Sequence, residues 1–138
     1  MIKDLQIYCD GSKDDLGYLG IGLVYVSDDK ILKQLSYGLP FKGESYIAEF
    51  TAVMCALSTL DIFVENLTIY TDQIALVNRI NTSAQELVSE LYELLEDTID
   101  NVNCRKIRFR YVKSHANNKY HNLADRLADL GRKQNEIC

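Results

Sequence analysis

The sequence predicts one α/β domain on three observations: an opening run of alternating strands, a mid-chain change from a period of two to a helical period, and later strands separated by helices. The 138 residues are 47% hydrophobic and 25% charged, an ordinary globular composition with enough chain for one sheet carrying helices. One proline and seven glycines exclude collagen-like and Pro-rich disordered chains. Apolar runs such as Ile74-Ala75-Leu76-Val77 fall far short of the ~18 residues a membrane helix needs. The opening Met1-Ile2-Lys3-Asp4-Leu5-Gln6 has an acid and no apolar stretch, so a secretory signal is not expected.

The elements follow in order. Lys3 to Asp10 alternates, with Leu5, Ile7 and Cys9 on one face and Asp4, Gln6, Tyr8 and Asp10 on the other. Gly20 to Val26 is a second strand, rich in β-branched and aromatic residues. Ser27-Asp28-Asp29-Lys30 reads as a turn, and Ile31 to Gly38 returns, which makes an antiparallel meander. From Ser45 to Leu60 the apolar positions are Tyr46, Ile47, Phe50, Val53, Met54, Leu57 and Leu60, one stripe of a helix. Leu67 to Thr71 is a short strand and Gln73 to Ile80 a short helix. Ser83 opens a longer helix with Glu86 completing a capping box, and Leu87, Leu91, Leu94, Leu95 and Ile99 form its apolar face. Lys106 to Val112 alternates again. After a polar loop, Tyr120 to Arg132 is the last helix, with Leu123, Leu127, Ala128 and Leu130 apolar. Strands separated by helices connect in parallel.

Cys9, Cys55, Cys104 and Cys138 contain no CxxC, which argues against a zinc site of the usual spacings and against a disulfide framework. Reduced thiols in a cytoplasmic protein are the expectation. The net charge of −5 is opposite in sign to that of a typical nucleic-acid binder.

Two strands end alike, Ile7-Tyr8-Cys9-Asp10 and Ile69-Tyr70-Thr71-Asp72, with a helix between them. As parallel neighbours ~4.8 Å apart they would set both aspartates side by side at the carboxyl end of the sheet, where α/β folds bind ligands. Two ordinary strand-ending turn formers would show the same pattern. Close carboxylates repel unless one takes a proton or a cation lies between them. Glu49 lies three residues after Tyr46 and four before Val53, on the apolar stripe of its helix. A carboxylate aimed there needs a partner, either an arginine or a shared cation. Asp125 stands in the early turns of the last helix, where the helix dipole favours an anion. His115 lies ten residues upstream in a loop and could shuttle protons beside a carboxylate cluster near neutral pH. Oxygen ligands without clustered Cys or His favour Mg²⁺ or Mn²⁺ over zinc. Two such ions ~3.5–4 Å apart suit hydrolysis of a phosphodiester.

With these residues in view, the sequence resembles ribonuclease H of type 1 over almost its whole length. The matching segments are IYCDGS (Ile7 to Ser12), YIAEFTAVMCAL (Tyr46 to Leu57), IYTD (Ile69 to Asp72) and VKSHANNKYHNLADRLA (Val112 to Ala128). Each motif is weak alone; all four in order, each on its expected element, are specific together. The resemblance implies an RNase H-like fold: a five-stranded mixed sheet of order 3-2-1-4-5, its first three strands antiparallel, with helices on both faces. One domain would span residues 1–133, with a short flexible tail at 134–138. The resemblance also implies Mg²⁺-dependent endonucleolytic cleavage of the RNA strand of RNA–DNA hybrids, leaving 5′-phosphate and 3′-hydroxyl ends. Two Mg²⁺ ions would serve, with Mn²⁺ as a substitute. The implied metal ligands are Asp10, Glu49, Asp72 and Asp125. Asp10 and Asp72 would contact or bridge both ions, Glu49 would hold the ion that positions the attacking water, and Asp125 the same or a nearby ion. His115 matches a mobile histidine that helps proton transfer or product release. Gly11 and Ser12 follow the first acid, where the backbone can approach the RNA strand, and Lys113 is a further substrate contact.

The chain departs from the family in several places. Where many relatives continue DGS with Gly-Asn-Pro-Gly, it reads Lys13-Asp14-Asp15-Leu16-Gly17, and where many carry paired asparagines before the helix glutamate it reads Ser45-Tyr46. It has no Trp, so the basic, Trp-rich protrusion of some relatives is absent. Its helix from Ser83 to Asn101 instead carries Glu86, Glu90, Glu93, Glu96, Asp97 and Asp100 without Lys or Arg. The Asn that often sits four residues before the last aspartate is His121, with Asn122 beside it. These departures bear on affinity and on telling RNA from DNA, which rest on phosphate and 2′-hydroxyl contacts. Arg108, Arg110, Lys113 and Lys119 are the basic cluster left near the site, and would equally blunt an edge strand. Compact versions without the protrusion occur in reverse transcriptases and in stand-alone bacterial proteins, so a partner domain stays open beside the expected monomer. Two other functions stay open as well: a metal nuclease of this fold with another nucleic-acid substrate, and a non-catalytic binding domain. Four mutually repelling acids argue against the last.

Overall fold

Alternation over the first 42 residues closes a three-stranded meander, and the helical periods that follow return the chain to the other edge of the sheet. The computed structural model describes residues 2–74, 77, 89–113 and 117–136. Its strands are β1 (Ile2–Lys13), β2 (Tyr18–Ser27), β3 (Lys30–Lys42), β4 (Val64–Thr71) and β5 (Cys104–Tyr111). Among the described residues its helices are α1 (Ser45–Ser58), α2 (Ser89–Asp100) and α3 (Lys119–Glu136). The sheet order is β3-β2-β1-β4-β5. The β1–β2 and β2–β3 pairs are antiparallel, and β1–β4 and β4–β5 are parallel. The short helix expected over Gln73 to Ile80 and the Ser83–Glu86 capping box lie largely outside the described residues. Its first turn is marked by the Val77 N–H donating to Gln73 O at 3.2 Å.

Both faces of the sheet are covered. On one, α1 and α2 pack Ala48, Ala52, Val53, Ala56, Leu57 and Leu95 onto Leu5, Ile7, Cys9, Leu67 and Ile69. On the other, α3 lays Ala124 and the partly buried Leu123 and Leu127 against Tyr8, Val24 and Val26. β1 is therefore buried on both sides, which alternation alone reads as one-sided. The face of α1 that is buried also differs from the expected stripe. Its centre is Ala48, Ala52 and Ala56, each fully buried, while Tyr46 is 51% exposed. Small side chains let the helix sink close to the sheet, so the large residues fall to its flanks.

The turns explain where strands end. Asp28 and Asp29 both take positive φ, at 51° and 59°, which is the two-residue hairpin geometry that Asp tolerates. β3 runs past the expected end at Gly38 and through Pro40 to Lys42. An edge strand tolerates that proline because one side of it needs no ladder hydrogen bond. α3 likewise runs past Arg132 to Glu136, into the stretch expected as a flexible tail. No helix breaker interrupts Lys133-Gln134-Asn135-Glu136. No helix among the described residues is long and apolar enough to cross a membrane.

Candidate metal centre

The repeated Ile-Tyr-x-Asp segments align as strand neighbours. Ile7 pairs with Ile69 and Tyr8 with Tyr70, and the two tyrosine rings stack with centroids 4.5 Å apart and planes 6° from parallel. Two residues further along the same face stand Asp10 and Asp72. Asp72 follows the end of β4, as expected. Asp10 is not a strand end: β1 continues to Lys13 against β2, with Asp10 opposite Gly22. The antiparallel ladder with β2 outlasts the parallel one with β4 and supplies the extra hydrogen bonds.

Two glycines bring the other acids in. A Cβ on Gly11 would lie 2.6 Å from Ala48 C and Glu49 N, so only glycine lets α1 approach β1 this closely. That approach carries Glu49 inward until it is 7% exposed. A Cβ on Gly22 would lie 2.1 Å from Ala124 O and 2.6 Å from Ala128 N, so α3 rests on bare β2 backbone. The start of α3 is fixed by Asn118, whose Oδ1 accepts from the N–H groups of Tyr120 (3.1 Å) and His121 (3.0 Å). The Asn118 side chain also lies beside the Tyr8 hydroxyl and offsets part of the burial that raises it. The Asp125 side chain then lies close enough to Asp10 to raise its carboxyl.

The four acids thus meet at one end of the sheet. Burial, then the charges of Glu49 and Asp72, and then contact with Asp125 push the Asp10 carboxyl far above the usual carboxylate range. Burial and the Asp72 charge push Glu49 up as well, opposed in part by hydrogen bonds from Asp10 and the Gly11 backbone. Glu49 Oε2 is buried without a hydrogen-bond partner among the described residues. Carboxylates so placed hold protons or a cation. A buried, oxygen-rich, mutually repelling set with an orphaned oxygen fits a hard divalent ion.

His121 also enters the cluster. It is 1% exposed, and its Nε2 lies 3.5 Å from Asp72 Oδ2 and 4.0 Å from Asp10 Oδ2. Asp10, Asp72 and His121 each offer one atom within 4.8 Å of the others. It was not among the expected site residues. Its place four residues before Asp125 on a helix was the available signal, since that spacing puts both on one face.

The remaining candidates fall differently. His115 lies outside the described residues. Gly11 acts as the contact point of α1. The Ser12 hydroxyl donates to Asp129 Oδ1 and accepts from Arg132 Nε at 2.8 Å, so α3 already engages it. Lys113 is exposed and follows Val112, whose N–H donates to Thr71 O at 2.9 Å, one residue from Asp72.

Solved structures with this architecture include the N-terminal RNase H domain of Rv2228c from Mycobacterium tuberculosis, with a TM-score of 0.79, 18% identity, and coverage of 98% of this chain and 97% of that one. LC11-RNase H1, solved in complex with an RNA/DNA hybrid, has a TM-score of 0.80 at 17% identity, covering 96% of this chain and 99% of its own. RNase H1 from the halophilic archaeon Halobacterium salinarum NRC-1 gives 0.77 at 16% identity, covering 95% and 98%. At these identities the likeness is one of fold. No curated protein sequence matches the chain. The family model for RNase H matches residues 2–133, nearly the whole sequence and every element that carries the acids. The chain therefore belongs to the RNase H family and is a ribonuclease H enzyme.

Proposed function

We propose that the protein is a divalent-metal-dependent endonuclease that hydrolyses the RNA strand of RNA–DNA hybrids, leaving 5′-phosphate and 3′-hydroxyl ends. The observation that carries this reading is the approach of Asp10, inside β1, to Asp72, just after β4, with Glu49 and Asp125 close enough to raise the Asp10 carboxyl further. LC11-RNase H1, which shares the fold, forms a complex with an RNA/DNA hybrid.

When bound, a pair of Mg²⁺ ions supplies charge stabilisation at the attacking and leaving oxygens of a phosphodiester, and Mn²⁺ substitutes. Asp10, Glu49, Asp72 and Asp125 would hold the ions. Glu49, projecting from α1, orients the attacking water in line with the scissile bond. His115 would move a proton to or from the reacting oxygens. Inversion at phosphorus expels the 3′-oxygen, which takes a proton and becomes the hydroxyl end.

The net negative charge does not oppose this substrate, because the two signs are segregated. On β5, Lys106, Arg108 and Arg110 are exposed and alternate with inward Ile107 and Phe109. Arg108 pairs in register with Thr68 and Arg110 with Tyr70, which places the basic row on the same face as Asp72. None of these three forms an ion pair among the described residues. They make a cationic track leading toward Lys113 and the acids, suited to a phosphate backbone. The exposed Glu93, Glu96, Asp97 and Asp100 belong to α2, which packs on the opposite face.

The deciding assay presents labelled RNA–DNA hybrid, duplex RNA, duplex DNA and single strands, each with Mg²⁺ and with Mn²⁺ at several salt concentrations. Cutting confined to the RNA strand of the hybrid is expected. Equal cutting of hybrid and duplex DNA, or no cutting at all, overturns the assignment.

A further inference from the structure

We infer that His121 is a nitrogen ligand of the metal centre and shifts its preference from Mg²⁺ toward a borderline cation such as Mn²⁺. The inference rests on the metal-dependent reading above and adds a fifth donor to it. A buried histidine with only a structural task has its ring nitrogens hydrogen-bonded. Here neither Nδ1 nor Nε2 has a hydrogen-bond partner among the described residues, although the side chain is 2% exposed. Nε2 instead faces two carboxylates, 3.5 Å from Asp72 Oδ2 and 4.0 Å from Asp10 Oδ2.

Those separations are suited to a shared ion. Ligands ~2.1 Å from an octahedral cation lie about 3.0 Å apart when adjacent and about 4.2 Å apart when opposite. The 4.0 Å separation is near the opposite spacing and the 3.5 Å separation is about 0.5 Å wider than the adjacent one, so only a small inward movement closes the three groups on one ion. The helix cap fixes the His121 backbone, its N–H donating to Asn118 Oδ1 at 3.0 Å, and burial confines the ring, whose side chain is 2% exposed. Asp125 lies one turn along α3 on the same face, so α3 presents an imidazole and a carboxylate together. Imidazole suits borderline transition ions better than Mg²⁺, which prefers oxygen donors and sheds water reluctantly.

The test is pulsed electron paramagnetic resonance of Mn²⁺ bound to the full chain, which reports directly coordinated nitrogen, alongside Mn²⁺ and Mg²⁺ affinities by calorimetry. The chain has two histidines, so wild type, His115→Ala and His121→Asn resolve the source. Imidazole nitrogen coupling in wild type and in His115→Ala, lost in His121→Asn with about tenfold weaker Mn²⁺ binding and a smaller change for Mg²⁺, is the expected result. Bound Mn²⁺ without nitrogen coupling overturns the inference and leaves the metal-dependent nuclease standing. So does coupling that survives His121→Asn and vanishes in His115→Ala. Wild type that binds neither ion overturns both. Should His121→Asn fail to fold, the His115→Ala spectrum decides, because one imidazole then remains.

Discussion

Replacing Asp10 by Asn keeps the shape of the side chain and removes its charge, which separates the structural burden of the acidic cluster from its use. Asp10 and Asp72 offer oxygens within 4.8 Å of each other. Two ionised carboxylates at that separation repel by about 3.5 kcal/mol at an effective dielectric constant of about 20. Proton uptake by the raised Asp10 and Glu49 carboxyls already relieves part of this strain in the parent. The variant should then gain about 1–3 kcal/mol without metal at pH 8, or about 4–10 °C in Tm for a domain of this size. Magnesium at ten times its Kd stabilises the parent by about 1.4 kcal/mol through mass action. That increment should be lost in the variant, and hybrid cleavage should fall by about 10³ or more. Thermal melts in EDTA and in Mg²⁺, with cleavage of a labelled hybrid, measure all three. A variant less stable than the parent in EDTA, or one that cuts at the parental rate, refutes the reasoning.

Further outcomes follow from the same geometry. Asp10 and Glu49 hold protons in the folded state that the unfolded chain releases, so their contribution to metal-free stability is full below the ordinary carboxylate range. It falls as pH rises through the folded values, about 9 for Glu49 and about 11 for Asp10. Chemical denaturation at pH 5, 7 and 9 should show this fall, smaller in Asp10→Asn and flattened by saturating Mg²⁺; a rise with pH in the parent minus variant difference would contradict it. His115→Ala should slow hybrid cleavage about 10–100-fold without abolishing it, read by single-turnover kinetics. A loss as complete as that of Asp10→Asn would give His115 a more direct part. Gly22→Ala sets a Cβ 2.1 Å from Ala124 O and must lift α3. It should cost about 2–4 kcal/mol and depress cleavage, because Asp125 moves with the helix; an unchanged Tm would contradict the packing.

Periodicity carried most of the fold. The Ile-Tyr-x-Asp repeat foretold both the register of β1 with β4 and the pairing of Asp10 with Asp72, because identical side chains in parallel neighbours stack in line, as Tyr8 and Tyr70 do. Glu49 was legible because a charge on an apolar stripe has no inexpensive explanation other than a partner. Close packing was not legible. Gly11 and Gly22 read as strand residues, and only their spatial neighbours on α1 and α3 show why a side chain there is forbidden. The alanine face of α1 was passed over for the same reason, since hydrophobicity ranks Tyr46 above Ala48 while helix-to-sheet distance ranks them the other way. The charge objection came from a sum over the chain. It dissolves once β5 and α2 are seen to carry opposite signs on opposite faces. His121 was noticed as a departure and not as a site residue, because its approach to Asp10 and Asp72 depends on how α3 lies across β2.

The most direct measurement is anomalous scattering from crystals of the protein grown or soaked with Mn²⁺. Metal density within about 2.0–2.3 Å of carboxylate oxygens from Asp10, Glu49, Asp72 and Asp125 is expected. Manganese found only elsewhere on the surface, with those four side chains carrying none, would contradict a shared cation site.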